Sequence, residues 1–107
     1  MVNYSLERTF AALSDPTRRA ILEDLKAGPR ATTELARPFA MSLPAVLKHL
    51  RVLERAGLVA GVRQGRERRY RLRHEALQDA AAWLDTYRAF WESQLDALDR
   101  YLEEMQP

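Results

Sequence analysis

A chain of 107 residues, 47% of them hydrophobic, is long enough for one domain with a thin core and too short for two. It holds no cysteine, which excludes disulfides and thiolate metal sites, and no apolar run approaches the roughly 20 residues of a bilayer span. The net charge of +2 conceals a division: residues 1–29 balance, residues 30–74 carry eleven Lys and Arg against Glu34, Glu54 and Glu67, and residues 75–107 carry eight acids against Arg88 and Arg100.

A basic middle section with an acidic tail is the electrostatic footprint of a surface for a polyanion, confined to one part of the fold. Met1–Glu7 shows no basic stretch followed by an apolar run, so no leader is expected. The expectation is a single soluble cytoplasmic domain over 1–107, with no membrane association.

In chain order, Leu6, Phe10 and Leu13 at i, i+4 and i+7 predict a helix over 4–13. Asp15-Pro16 pairs a good N-cap with a residue suited to the first helical position, so a second helix begins there. Its core residues are Ile21, Leu22 and Leu25, and Gly28-Pro29 ends it. A short third helix starts near Thr32, read as its cap, with Leu35, Ala36 and Phe39 inward. Ser42 caps a fourth, with Pro44 in the tolerated first turn. There Val46, Leu50 and Leu53 form the buried stripe and Gly57 stops the helix. Two helices joined by a short turn over 32–56 are a helix-turn-helix.

The texture then changes. Leu58–Arg63 reads as a strand, and Arg68–Arg73 alternates with period two, which puts Tyr70 and Leu72 inward and Arg69, Arg71 and Arg73 outward. Gln64-Gly65-Arg66-Glu67 is the hairpin tip between them. A two-stranded ribbon over 58–73, directly after a helix-turn-helix, is a wing. From Glu75 to Met105 the chain has no Gly or Pro, and Leu77, Leu84, Trp91, Leu98 and Met105 recur every seven residues. A helix over 75–105 is roughly 45 Å long, more than so small a body covers. Trp83 and Phe90 widen its apolar face, so a partner helix is expected, most simply the same helix of a second copy.

The chemistry lies on the fourth helix, because a helix enters the major groove end-on with its N-terminal residues at base edges. With one face buried, Ser42, Leu43, Leu47, Lys48, His49 and Arg51 remain for DNA. Ser42 and the helix N-terminus suit phosphate; Lys48, His49 and Arg51 suit phosphate or guanine; Leu43 and Leu47 make no hydrogen bond to a base but fit a thymine methyl. Arg63, Arg66, Arg68 and Arg69 make the wing a basic arm for the adjacent backbone.

Several runs carry a family resemblance: Ala12-Leu13-Ser14-Asp15-Pro16-Thr17-Arg18-Arg19-Ala20-Ile21-Leu22, Thr33-Glu34-Leu35-Ala36, Lys48-His49-Leu50, Ala56-Gly57-Leu58-Val59 and Tyr70-Arg71-Leu72. In this order they resemble the ArsR-type winged helix-turn-helix regulators of bacteria. The resemblance implies a mainly α fold with a β wing and a long C-terminal dimerisation helix. It also implies a dimer joined through the first and last helices, which assigns Leu6, Phe10, Leu84, Tyr87, Trp91, Leu98 and Tyr101 to the interface. The implied function is a sequence-specific repressor on an inverted-repeat operator in double-stranded DNA, released by a small-molecule or protein effector.

Two departures stand out. The family often has Gln and Ser where this chain has Leu43 and Leu47. Its metal sensors use paired cysteines, absent here, or Asp and His on the last helix, where this chain offers His74, Asp79 and Asp85 without a matching second His. No cofactor is expected. Nor is an enzyme: no Gly-rich phosphate loop or nucleophile motif occurs, and Ser42 and His49 stand about 10 Å apart along one helix. The rival reading is a winged-helix protein-interaction module that uses Leu43 and Leu47 as an apolar contact, against which the eleven central cations argue.

Overall fold

A computed structural model describes residues 4–106, so residues 1–3 and 107, which the 1–107 domain and the reading of the N-terminus include, lie outside it. The elements run α1 (Tyr4–Leu13), α2 (Pro16–Leu25), β1 (Arg30–Ala31), α3 (Thr32–Ala36), α4 (Leu43–Arg55), β2 (Val59–Gln64), β3 (Glu67–Leu72) and α5 (Glu75–Glu104). This is the expected winged helix-turn-helix, with the wing enlarged to a three-stranded antiparallel sheet of order β1-β3-β2.

Local chemistry sets the helix starts. Asp15 holds an extended backbone, and its Oδ1 accepts from the N–H groups of Thr17 (2.8 Å) and Arg18 (3.1 Å), with Pro16 opening α2. Ser42 Oγ accepts from Ala45 N–H at 3.3 Å and opens α4. The start of α3 differs from the expectation. Ala31 occupies the capping position, and the Glu34 carboxylate reaches back to accept from Ala31 N–H at 3.0 Å. Thr32 Oγ1 donates instead to the carbonyl of Arg68 at 3.3 Å, tying α3 to the wing.

The core gathers one face from each body element: Ile21, Leu22 and Leu25 of α2, Leu35 of α3, Val46, Leu50 and Leu53 of α4, and Leu58, Val59 and Tyr70 around the sheet. Each fully buried Leu stabilises the fold by roughly 1.5–3 kcal/mol relative to exposure. Tyr70 reaches this core from β3, as its alternation with the arginines requires, and Leu72 packs beside it half-buried.

The hairpin register pairs Val59 with Leu72 and Gln64 with Glu67, so the turn is Gly65-Arg66 alone. Gly65 has φ +65°, the left-handed region a two-residue hairpin turn needs. Gly61 serves a different purpose: a Cβ there would lie 2.8 Å from the Tyr70 ring and 2.7 Å from Arg68 Nε. Its missing side chain lets both cross β2 closely.

Only the first turns of α5 join the body. Ala80 is buried, Leu77 packs against the core, and Phe10 of α1 meets the Trp83 ring edge-on at 5.6 Å. Beyond this contact α5 is exposed along its remaining length, and the molecule measures 70 × 35 × 21 Å. No helix among the described residues is long and apolar enough to cross a membrane.

Candidate nucleic-acid interface

The buried stripe of α4 fixes which side chains it presents outward. With Val46, Leu50 and Leu53 in the core, Ser42, Leu43, Lys48 and Arg51 lie exposed. Leu47 is half-buried and packs against the core beside the wing, and His49 is half-buried on the α2 side. Ser42 Oγ accepts from the helix N-terminus, which leaves its hydroxyl hydrogen available to donate.

Glu54 holds the wing to this helix. Its Oε2 accepts from Gly61 N–H at 3.1 Å and from Arg68 Nη2 at 3.2 Å, so one carboxylate grips both long strands. The Arg68 guanidinium also lies 5.7 Å from the centre of the Tyr70 ring. The Tyr70 phenol first, and the Glu54 carboxylate second, push the Arg68 guanidinium pKa above its ordinary value. In sequence Glu54 is merely one acid among eleven cations; its partners are seven and fourteen residues away in the chain and emerge only with the strand register.

The ten DNA-facing residues expected from sequence therefore divide. Lys48, Arg51, Arg63 and Arg66 are exposed, and their side chains carry no ion pair or hydrogen bond among the described residues. Arg68 is held by Glu54. Arg69, expected to point outward, is half-buried: its Nη1 lies 3.6 Å from Glu34 and 3.7 Å from Glu67, and its Nη2 donates to the Pro29 carbonyl at 3.3 Å. The reason is β1, which sets Ala31 opposite Arg69 and brings α3 within reach. The Ala31 N–H above all, and then Arg69, hold the Glu34 carboxyl below its ordinary pKa.

The seven residues assigned to a dimer interface also divide. Leu6 and Phe10 are half-buried where α1 meets α5. Leu84, Tyr87, Trp91, Leu98 and Tyr101 are exposed, in company with Phe90, Leu95, Leu102 and Met105. Phe90 and Trp91 are 65% and 62% exposed, values that water-facing aromatics seldom show in such number along one helix. Among the described residues no group of three His, Asp or Glu is placed to hold a metal ion.

Known proteins share this architecture. A family model described as a helix-turn-helix domain matches residues 13–62. The chain is similar to the transcriptional repressor SdpR of Bacillus subtilis (strain 168), 37% identical over 79 residues that span 74% of this chain and 88% of that protein. It is similar to the crystal structure of an ArsR family transcriptional regulator, with a TM-score of 0.80 and 41% identity over 87% of this chain and 96% of that one. A solution structure of the homodimeric winged helix-turn-helix DNA-binding domain Mb0332 from Mycobacterium bovis superposes with a TM-score of 0.62 and 31% identity, covering 96% of this chain and 86% of that one.

Proposed function

The chain belongs to the ArsR family of winged helix-turn-helix transcriptional regulators, and from that premise we propose that it is a homodimeric repressor binding an inverted-repeat operator in duplex DNA. The observation that carries this reading is the pairing of α4 with the wing. Four cations without partners among the described residues, Lys48, Arg51, Arg63 and Arg66, lie on two elements that the Glu54 carboxylate fixes to each other. α4 enters the major groove through its N-terminal turn, and the Gly65-Arg66 tip lies on the adjacent backbone. Ser42 donates to a phosphate at the helix start, Lys48 and Arg51 reach phosphate or guanine, and His49 stands at the flank.

The dimer rests on α1 and α5. The exposed apolar length of α5, with Leu84, Tyr87, Trp91, Leu98 and Tyr101, is covered by the same helix of a second copy, with Leu6 and Phe10 at its edge. The homodimeric M. bovis domain supports this. The acids of α5 repel DNA and leave the opposite end of the molecule to bind it. Twofold symmetry then demands half-sites about one helical turn, roughly 10 bp, apart. The repressor acts in the cytoplasm and leaves its operator when a small-molecule or protein effector, taken without a metal or cofactor, disfavours the DNA-binding form.

Selection of genomic fragments by the purified protein, followed by footprinting at two salt concentrations, tests this. An inverted repeat is expected. With about six phosphates neutralised per dimer, affinity falls by roughly three decades between 50 and 200 mM salt. A single unpaired half-site contradicts the dimer, and no enrichment above background favours a winged-helix module that binds protein.

A further inference from the structure

The leading turn of α4, the part that a docked helix brings closest to base edges, has no hydrogen-bonding side chain to offer them. Leu43, Pro44, Ala45, Val46 and Leu47 carry only carbon, and the Ser42 oxygen before them already accepts from Ala45 N–H. Leu43 is 42% exposed at the first helical position, with no core behind it to hide in. It lines a groove of about 230 Å³ together with Leu47 of the same helix, Thr32 and Thr33 of α3, and Arg66 and Arg68 of the wing. The first cations of the helix, Lys48 and Arg51, come one and two turns later.

A major-groove edge presents hydrogen-bond donors and acceptors for every base, and one apolar group, the C5-methyl of thymine. Leucine pressed onto an edge without that methyl covers polar atoms it cannot satisfy, which is unfavourable. On a thymine it covers a carbon group, which is favourable. We propose that Leu43 reads a thymine C5-methyl in each operator half-site, so that the specificity of the leading turn is apolar rather than hydrogen-bonded. The proposal rests on the operator-binding reading above and deepens it: it names the atom that is read. Leu47, half-buried, supports Leu43 from behind, and Lys48 and Arg51 supply the charge.

The test replaces thymine by deoxyuridine, one position at a time and symmetrically in both half-sites, in the footprinted operator. This removes the methyl and leaves base pairing unchanged. Burial of one methyl is worth a few-fold in affinity, so about tenfold is expected for the two half-sites at one position of the repeat. Leu43→Ala should bind the thymine operator more weakly and lose most of that discrimination, because the pair that makes the contact has been broken. Leu43 is exposed, so this variant keeps the fold, and an unchanged salt slope verifies that its phosphate contacts persist. Tight binding with thymine and deoxyuridine equivalent at every position overturns the inference and leaves the repressor reading standing. Discrimination undiminished in Leu43→Ala overturns it as well. Failure to bind any duplex overturns both.

Discussion

Arg18 Nη1 stands 3.3 Å from His49 Nδ1, and this contact joins three helices through one side chain. The same guanidinium donates through Nε to the Ala12 carbonyl at 2.7 Å and through Nη2 to the Ala11 carbonyl at 3.2 Å, at the C-terminal end of α1. A guanidinium is always charged and only donates, so in this contact the acceptor is His49 Nδ1. α4 is thereby tied to α1, which carries Leu6 and Phe10 at the edge of the proposed dimer contact.

Arg18→Lys keeps the charge and loses the planar fork that serves three acceptors at once. Its side chain is only 15% exposed, so the lost hydrogen bonds are not replaced freely by water. Urea unfolding should show a loss of about 1–3 kcal/mol. Operator affinity should fall with it, because α4 is held less firmly. An unchanged midpoint and unchanged binding would show that the contact is incidental.

Glu54 gives a prediction whose sign opposes simple charge counting. Removing an acid from a DNA-binding face raises affinity if only net charge matters. Yet Glu54 grips Gly61 N–H and Arg68, and without it the wing is no longer fixed to α4. Glu54→Ala should therefore weaken operator binding, by on the order of fivefold, about the worth of one hydrogen bond. Fluorescence anisotropy at fixed salt measures it, and tighter binding would refute the bracing role.

Arg66 and Arg68, two residues apart on the wing, should differ in salt dependence. Arg66 has no partner among the described residues, so Arg66→Ala removes one phosphate contact per subunit and lowers the log–log salt slope by about two per dimer. Arg68 is engaged by Glu54 at 3.2 Å, so Arg68→Ala should leave the slope nearly unchanged while loosening the wing. Equal loss of slope in both variants would mean that the Glu54 pair opens on DNA.

What the sequence made legible follows physical range. Elements with repeated periodicity and a local cap were readable: Asp15-Pro16 marked the start of α2, Ser42 that of α4, and the alternation through Tyr70 marked β3. The strand β1 was not, because two residues, Arg30 and Ala31, carry no alternation and pair with a strand forty residues away. Once formed, that pairing laid Arg69 half-buried against Glu34 and the Pro29 carbonyl and left Ala31, without a side-chain oxygen, as the cap of α3. The outward-facing set of α4 was legible as a set, since the buried stripe of Val46, Leu50 and Leu53 fixes its outer face. The division into free and engaged cations was not, since it depends on Glu34 and Glu54 meeting strands that only the folded register brings to them.

Acid should weaken the fold through two carboxylates that cap helices. The Arg18 backbone N–H above all, and then that of Thr17, hold the Asp15 pKa below its ordinary 3.8, and the Ala31 N–H first holds Glu34 below its ordinary 4.5. In both cases the unfolded chain takes up the proton at a higher pH than the folded one. The stability they contribute is therefore complete above about pH 5 and lost as pH falls through the ordinary values toward the depressed ones. Urea midpoints measured from pH 6 to pH 3 should fall more steeply for the native chain than for Asp15→Asn with Glu34→Gln. Parallel curves would place the acid sensitivity in other groups.

The exposed length of α5 makes stability depend on concentration. In the proposed dimer, side chains from Leu84 to Tyr101 gain their burial from a second copy, which links folding to association, so dilution should lower the melting temperature. Trp91→Glu with Leu98→Glu puts charges where apolar contact is expected, and both positions lie beyond the turns of α5 that touch the body, so the wing and core should persist. Analytical ultracentrifugation should show a monomer, and the full operator should then bind little better than an isolated half-site, because the two half-sites are no longer linked through one molecule. A variant that sediments as a dimer, or a native chain whose melting temperature ignores dilution across the association range, would move the dimer contact off this face of α5.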